Sequence, residues 1–340
     1  MSLEQLSGKT VLVTGAGGLI GSRITSQLRQ LGARPISVCK LDAYPHEVYR
    51  ERFGIDASDP DFIVGDIAEP DLMRKVISGC DYVIHAAALA DVAACTRRPL
   101  DAIDTNITGT QRVLDAVAAS DRVRRMVFVS SASVYGNGDH TGQPEQFIEG
   151  TAVQPVSVYG NSKAWGEYQT AAVLGGAGIS YAVVRYFSVY GEPQVVKERS
   201  HSWVVAWFAM RAALGLPLHL NGGGHQIRDM VHVDDIATGT LCALVAPRAH
   251  NKTINIGTGS GTSIRQIAEL VRSHYPDAPL VETPMPPGDP EGGYASIQRM
   301  EDLLGWRPTI SMTEGVARYV AWLKATPAAI PDWMRQAAAA

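Results

Sequence analysis

Four cysteines, at positions 39, 80, 95 and 242, are all that 340 residues offer, and none forms a CxxC pair. That pattern writes neither a disulfide framework nor a zinc-ligand set. The histidines lack ligand spacing as well: His85, His201, His225 and His232 are scattered, so no metal site is expected. Long apolar runs are missing, and no stretch approaches the ~18 residues that cross a bilayer. Charge of one sign is missing too. A formal net charge of -4, with 19% charged residues, gives no basic surface for nucleic acid or an anionic membrane. Residues 1–9 are polar and carry an acid, unlike a signal peptide. Neither an internal repeat nor a low-complexity linker divides the chain. These absences predict a reduced, cytoplasmic protein with no nucleic-acid partner and no membrane partner.

What is present is a hydrophobic content of 46%, enough for a sizeable core. Strand-like runs near residues 11–13, 35–41, 62–64, 82–86, 126–130 and 181–185 alternate with helical patterns, notably 99–119 and 158–174. Such alternation predicts an α/β fold with a doubly wound parallel sheet. The second half is less regular. It holds an apolar helical run at 204–214, a glycine turn at 222–224, strand-like 230–233 and 254–256, a helical pattern at 264–275 and the segment 300–306. We expect a Rossmann-type domain over 1–188 with a return segment at about 231–258. A smaller, interleaved C-terminal substrate lobe would take 189–230 and 259–330.

The most informative stretch is T-V-L-V-T-G-A-G-G-L-I-G-S, residues 10–22. An apolar strand runs into a turn with glycines at Gly15, Gly18 and Gly21, and an amphipathic helix follows through Leu19, Ile20, Ile24, Leu28 and Leu31. Glycine admits positive φ and lets the backbone approach a pyrophosphate, which sits at the positive end of the helix. In that context the turn predicts dinucleotide binding.

A second motif is Tyr159-x-x-x-Lys163 within a helical pattern. Residues four apart share a helix face, so phenol and ammonium point the same way. A neighbouring cation is expected to lower the phenol towards neutrality and let Tyr159 exchange a proton at working pH. Upstream, F-V-S-S-A-S-V-Y-G at 128–136 ends a strand in Ser130 and Ser131 at the carboxyl edge of the sheet, where ligands bind in such folds. Ser131 is placed to bond a sugar hydroxyl and pass its proton to Tyr159.

Together these motifs resemble the extended short-chain dehydrogenase/reductase family, and within it the nucleotide-sugar epimerases and dehydratases, over about residues 9–308. V-G-D-I at 64–67 looks like the segment whose acid, here Asp66 beside Ile67, bonds the adenine. V-I-H-A-A-A at 83–88 resembles the strand end packed beside the pyrophosphate, with Ala86 and Ala87. N-I-T-G-T at 106–110 carries the family's structural asparagine, Asn106. R-Y-F-S-V-Y-G at 185–191 matches the strand entering the substrate lobe, and R-D-M-V-H-V-D-D at 228–235 puts Arg228 where relatives bind the sugar-nucleotide diphosphate. N-I-G-T-G at 255–259 and L-L-G-W-R-P at 303–308 complete the order. The resemblance implies Tyr159, Lys163 and Ser131 as catalytic groups. It implies cofactor contacts from Gly15, Gly18, Leu19, Ile20, Gly21, Lys40, Asp66, Ile67, Ala86, Ala87, Asn106, Tyr159, Lys163 and Tyr186. Substrate contacts fall to Ser131, Ser133, Ser188, Lys197 and Arg228. A homodimer formed through the helices at 99–119 and 158–174 is implied in the same way.

Members of this group oxidise a nucleotide-diphosphate sugar at carbon 4 with bound NAD. Dehydratases place an Asp-Glu pair after the serine or threonine, and decarboxylases a glutamate at the second of these positions. This chain has Ala132-Ser133 there. The resemblance therefore implies a 4-epimerase, redox-neutral over one turnover. A 4-ketoreductase or dehydrogenase consuming NAD(P)(H) is the alternative, with a dehydratase, decarboxylase or a non-catalytic NAD(P) sensor behind it. Several positions depart from the pattern. Cys39-Lys40 stands where NAD-preferring members end the second strand in an aspartate, with Asp42 further on; Lys40 and Arg34 would suit the 2′-phosphate of NADP. Ser188 replaces an asparagine, and Met285-Pro286 falls where some epimerases carry an arginine before P-G-D. Residues 195–202 are unusually charged, and Lys197 and Arg199 are candidates for a diphosphate or sugar carboxylate.

Overall fold

Strand β1 (Thr10–Thr14) is buried on four of its five residues, as a strand covered on both faces of a parallel sheet must be. It leads through the glycine turn to α1 (Leu19–Gln30). The computed structural model describes residues 2–138, 145–198, 203–285 and 292–339. The chain continues through β2 (Arg34–Cys39), α2 (His46–Glu51), β3 (Phe62–Val64), α3 (Pro70–Ile77) and β4 (Tyr82–His85). Helices α4 (Val92–Arg97), α5 (Pro99–Ile103) and α6 (Thr110–Ala118) precede β5 (Arg125–Ser131). After β6 (Glu145–Phe147) come α7 (Val158–Gly176), β7 (Ser180–Tyr186) and β8 (Ser188–Tyr190). Next are α8 (Val204–Ala213), β9 (Leu218–Asn221), β10 (Ile227–Arg228), β11 (Met230–His232), α9 (Val233–Val245) and β12 (Lys252–Ile256). The chain closes with β13 (Thr262–Ser263), α10 (Ile264–Arg272), β14 (Leu280–Thr283), β15 (Gly292–Ala295), α11 (Gln298–Leu304), α12 (Met312–Ala325) and α13 (Asp332–Ala339).

Seven parallel strands form one sheet in the order β12-β7-β5-β4-β1-β2-β3. This is a Rossmann-type doubly wound sheet. Strand order reverses between β1 and β4, and the crevice beyond their carboxyl ends is where such a sheet binds ligands. Helix α9 packs on α1, and β12 pairs with β7, so residues after β11 return to the main sheet. Arg125 donates to the carbonyls of Ala243, Leu244 and Ala246 at the end of α9, a cation placed at the negative end of a helix.

The lobe is assembled from separated segments. One four-stranded sheet runs β13-β10-β15-β6, with β6 arriving from ahead of α7. A second core of Tyr190, Phe208, Met210, Leu220, Tyr319 and Leu323 fills the space among α8, α10 and α12.

The 3.6-residue spacing predicts a single helix over 99–119. The structure instead has α5, a π-helical turn (Asp104–Gly109) and then α6. The wider turn points Asn106 inward, where it is buried. Trp203 immediately precedes α8 with a left-handed backbone (φ +72°).

Candidate active site

At the end of β1 the backbone of Gly15 takes φ +72°. A Cβ there would meet the Ala87 Cα and N at 2.8 Å, so the turn after β1 lies against the loop after β4. A Cβ on Gly21 would come 2.2 Å from the Gly15 carbonyl oxygen, which lets α1 begin directly on the turn. Gly18 caps α1 without a side-chain bond. The first N–H groups of α1 thus face the crevice with no capping oxygen, an arrangement suited to a pyrophosphate. Leu19 and Ile20 open that helix, half-buried. Half-buried Ala86 and Ala87 line the opposite side, and the Ala87 N–H donates to Thr14 Oγ1 at 3.2 Å. These features fit a dinucleotide.

Helix α7 is capped by Ser157, whose Oγ accepts from the Gly160 N–H at 3.0 Å, and this sets Tyr159 in its first turn. The Tyr159 phenol comes near Ser131 at the end of β5, whose hydroxyl favours its ionised form. Ser131 Oγ also donates to Ser133 Oγ and accepts from the Ser133 N–H, both at 3.1 Å. One turn along α7, buried Lys163 donates to the Val129 carbonyl at 2.9 Å, its ammonium 5.8 Å from the Tyr159 ring centroid. Ser131, Ser133, Tyr159 and Lys163 therefore meet beside the glycine turn's strand order switch.

The pKa of Tyr159 runs opposite to the sequence expectation. Burial pushes the phenol up to about 12, and the nearby Ser131 hydroxyl only partly offsets it. Lys163 does not lower it because its ammonium is turned to Val129 and is itself desolvated, falling to about 8. An oxidised nicotinamide beside the phenol would add a positive charge favouring phenolate.

Sequence reasoning missed several neighbours. The Cys95 thiol donates to the Leu89 carbonyl at 3.1 Å, and burial raises it to about 11, so the thiol whose field reaches Tyr159 and Lys163 is neutral. Behind Lys163, Glu167 is paired with Arg185 and accepts from Ser130 Oγ at 2.5 Å. His85 is held between Thr14 Oγ1 (2.7 Å) and Thr110 Oγ1 (2.9 Å); burial drops it to about 3, so it is neutral. A pattern of i, i+4, i+8 on α7 (Tyr159, Lys163, Glu167) was the available signal for Glu167. The others needed the strand order.

Asn106 acts on protein atoms. Its Oδ1 accepts from the Leu89 N–H at 2.7 Å, and its Nδ2 donates to the Leu89 carbonyl (3.2 Å) and Ser162 Oγ (3.0 Å). It ties the loop after β4 to α7 beside Lys163. The Tyr186 hydroxyl is likewise engaged, with Thr240 Oγ1 at 2.5 Å. Ile67 is buried, packed close to Gly109. Lys40 and Asp66 come together as an ion pair of 2.7 Å. Arg34 does not join them: it begins β2, at the opposite end from Lys40, and pairs with Asp61 at 2.6 Å.

In the lobe, the Ser188 N–H donates to the Asp229 carbonyl, which sets Ser188 next to Arg228 on the neighbouring segment. Arg228 Nη1 donates to the Ile227 carbonyl at 2.8 Å. Buried Asp229 accepts from the N–H groups of Thr258, Gly259 and Ala295, which fixes the loop before β13. Lys197 lies elsewhere, its ammonium 4.4 Å above the Tyr44 ring and 5.9 Å from the Trp203 ring. Arg199 and Pro286 fall outside the described residues. Glu192, His232 and Asp234 also converge, but Arg318 (3.2 and 2.6 Å) and Arg23 (2.9 Å) already face the two carboxylates.

The family profile described as "NAD dependent epimerase/dehydratase family" matches residues 11–257. A putative UDP-glucose 4-epimerase of Methanocaldococcus jannaschii is 30% identical over 318 residues, 92% of this chain and 98% of that one. Among solved structures, UDP-glucose 4-epimerase of Thermotoga maritima, with UDP-glucose, superposes with a TM-score of 0.84 at 30% identity, covering 94% of this chain and 99% of the other. UDP-glucuronic acid 4-epimerase of Bacillus cereus, in complex with UDP-glucuronic acid and NAD, gives a TM-score of 0.82 at 26% identity, covering 93% and 99%. With the glycine cradle, the tyrosine–lysine pair and these likenesses over nearly its whole length, the chain belongs to the NAD-dependent epimerase/dehydratase family.

Proposed function

We propose that the chain is a nucleotide-diphosphate-sugar 4-epimerase with NAD as its resident cofactor. One observation supports this reading: Ser131, Tyr159 and Lys163 are gathered at the ends of β5 and α7, while Ala132 and Ser133 place no acid beside them. The nearby carboxylate, Glu167, is buried in its pair with Arg185 and does not serve as an acid for expelling a sugar hydroxyl.

A dinucleotide held by the glycine turn and the start of α1 would supply reversible hydride chemistry at carbon 4. The protein's own groups handle the proton. Tyr159 takes it from the 4-hydroxyl through or alongside Ser131, and gives it back after the keto sugar has turned. Lys163, with one proton on Val129, keeps two N–H bonds for ribose hydroxyls. Arg228 and Ser188 are proposed to hold the diphosphate end. Lys197 is proposed as a further substrate contact through the 195–198 segment.

We also propose a homodimer in the cytoplasm. Leu100, Ile103 and Tyr168 are 72%, 41% and 65% exposed on α5 and α7, a cluster of apolar surface consistent with a helical partner face. The cysteines are all free thiols, as a reducing compartment maintains. No helix among the described residues is long and apolar enough to cross a membrane.

The deciding experiment incubates purified protein with UDP-, dTDP-, CDP- and GDP-sugars without added cofactor and follows products by NMR. A 4-epimer with no net absorbance change at the reduced-nicotinamide band is expected. Product formed only with stoichiometric consumption of NAD(P)H would overturn the epimerase in favour of a ketoreductase.

A further inference from the structure

The residue below the glycine turn is a thiol. β2 ends at Cys39, whose Sγ lies 2.8 Å from where a Cβ on Gly17 would stand. In dinucleotide folds an acid about 20 residues beyond the first glycines binds the adenosine ribose hydroxyls, and a cation nearby accommodates a 2′-phosphate. Here burial raises the thiol above its ordinary value, so the position carries no negative charge.

The next residue is Lys40. Its ammonium is 2.7 Å from Asp66 Oδ2, and its side chain is 40% exposed at the crevice edge. Asp66 is itself fixed, since its Oδ1 accepts from the Ala68 N–H at 2.9 Å. The register that pairs Cys39 with Val64 brings the two residues together. Two further acids act on Lys40. Asp101 is already paired with Arg98 at 3.1 Å. Asp42 is exposed and stands beyond Leu41, whose left-handed backbone (φ +56°) turns the chain away from β2.

We infer that the adenosine end of the cofactor site accepts a 2′-phosphate with Lys40 as its counter-ion, so that NADP binds about as tightly as NAD. This deepens the proposed function and rests on it for the dinucleotide site and for the redox-neutral turnover. A reaction that returns its electrons within each turnover draws on neither nicotinamide pool, so the chemistry makes no demand to reject the phosphate.

Calorimetric titration of nucleotide-stripped protein with NAD, NADP, 5′-AMP and 2′,5′-ADP tests it without reference to turnover. NADP is expected to bind within about threefold of NAD. Lys40→Ser should weaken NADP and 2′,5′-ADP by about 10- to 100-fold, the worth of one charge-assisted hydrogen bond, and leave NAD within about twofold. Lys40→Arg should restore NADP binding. Parent protein that binds NAD more than about 30-fold tighter than NADP would overturn the inference and assign selectivity to Asp42. Equal weakening of both dinucleotides by Lys40→Ser would also overturn it, because Lys40 would then act through Asp66 on the adenine. If neither dinucleotide binds, the cofactor reading itself fails.

Discussion

Arg185 clasps Glu167 with two parallel bonds, Nε to Oε1 at 2.9 Å and Nη2 to Oε2 at 2.6 Å, both side chains more than nine-tenths buried. The pair sits directly behind the relay: Glu167 is one helical turn beyond Lys163, and Ser130, the neighbour of Ser131, donates to it. The guanidinium also lies 4.8 Å over the Tyr135 ring. Burying two charges is repaid only when the geometry is good and the remaining polar atoms are satisfied, and both conditions hold here.

Breaking one side of that pair leaves an unpaired buried charge. Glu167→Gln and Arg185→Met are each expected to cost about 3–5 kcal/mol in urea unfolding. The double variant should cost clearly less than their sum, because the second substitution removes the orphaned charge. Additive losses would mean that the two charges do not couple.

Asn106 makes three bonds to two elements of the crevice; Asn106→Ala removes all three and leaves the Leu89 N–H without its acceptor. An unsatisfied buried group costs about 1–3 kcal/mol, so a loss of about 3 kcal/mol in stability is expected. The loop carrying Ala86 and Ala87 would lose its anchor to α7, and NAD affinity measured by titration should fall by about tenfold or more. Unchanged affinity would show that the loop is held by other contacts.

The glycine turn, the Tyr-Lys face and the strand alternation were legible because each is a local pattern: φ, helix period or strand period. The residues that complete the site were not, for reasons that differ. Lys40 and Asp66 meet only through the β2–β3 register, which no local window contains. The π-helical turn at Asp104–Gly109 differs from an α-helix by one extra residue in a turn, too small a change for apolar spacing to reveal. The direction of the Tyr159 shift depended on burial against charge, and the sequence gives the cation without its orientation towards Val129. Arg34 was matched to the 2′-phosphate of NADP by type alone, whereas it begins β2 at the far end from Lys40 and pairs with Asp61.

Tyr159→Phe removes the proton carrier but keeps the ring. Turnover should fall by about 10²- to 10⁴-fold, the usual worth of a positioned acid–base group, while titrated NAD affinity stays within about threefold. Full activity in this variant would remove Tyr159 from the mechanism.

The proposed dimer face depends on apolar surface at α5 and α7. Tyr168→Glu combined with Leu100→Glu would put two charges into that contact, while both positions are exposed in one chain and cost it little. Light scattering is expected to report a dimer for the parent and a monomer for the double variant, with unfolding of the isolated chain nearly unchanged. A monomeric parent would sink the dimer.

Lys163 should be a functional residue held at the expense of stability. Burial lowers its ammonium to about 8, whereas an unfolded chain keeps that proton to about 10.4. The native state therefore binds fewer protons than the unfolded state between these values, and its stability rises with pH across that window. Below pH 8 the full penalty applies, about 3 kcal/mol for a shift of this size. Lys163→Met removes the charge and forfeits the Val129 bond, worth about 1 kcal/mol. The variant should thus be inactive yet about 2 kcal/mol more stable at pH 7, with the advantage shrinking to nothing by about pH 10. Urea midpoints for both proteins at pH 7 and pH 10 measure this directly. A methionine variant less stable than the parent at pH 7 would mean that Lys163 is solvated in the native state, and with it the account of why the phenol stands at about 12 would fall.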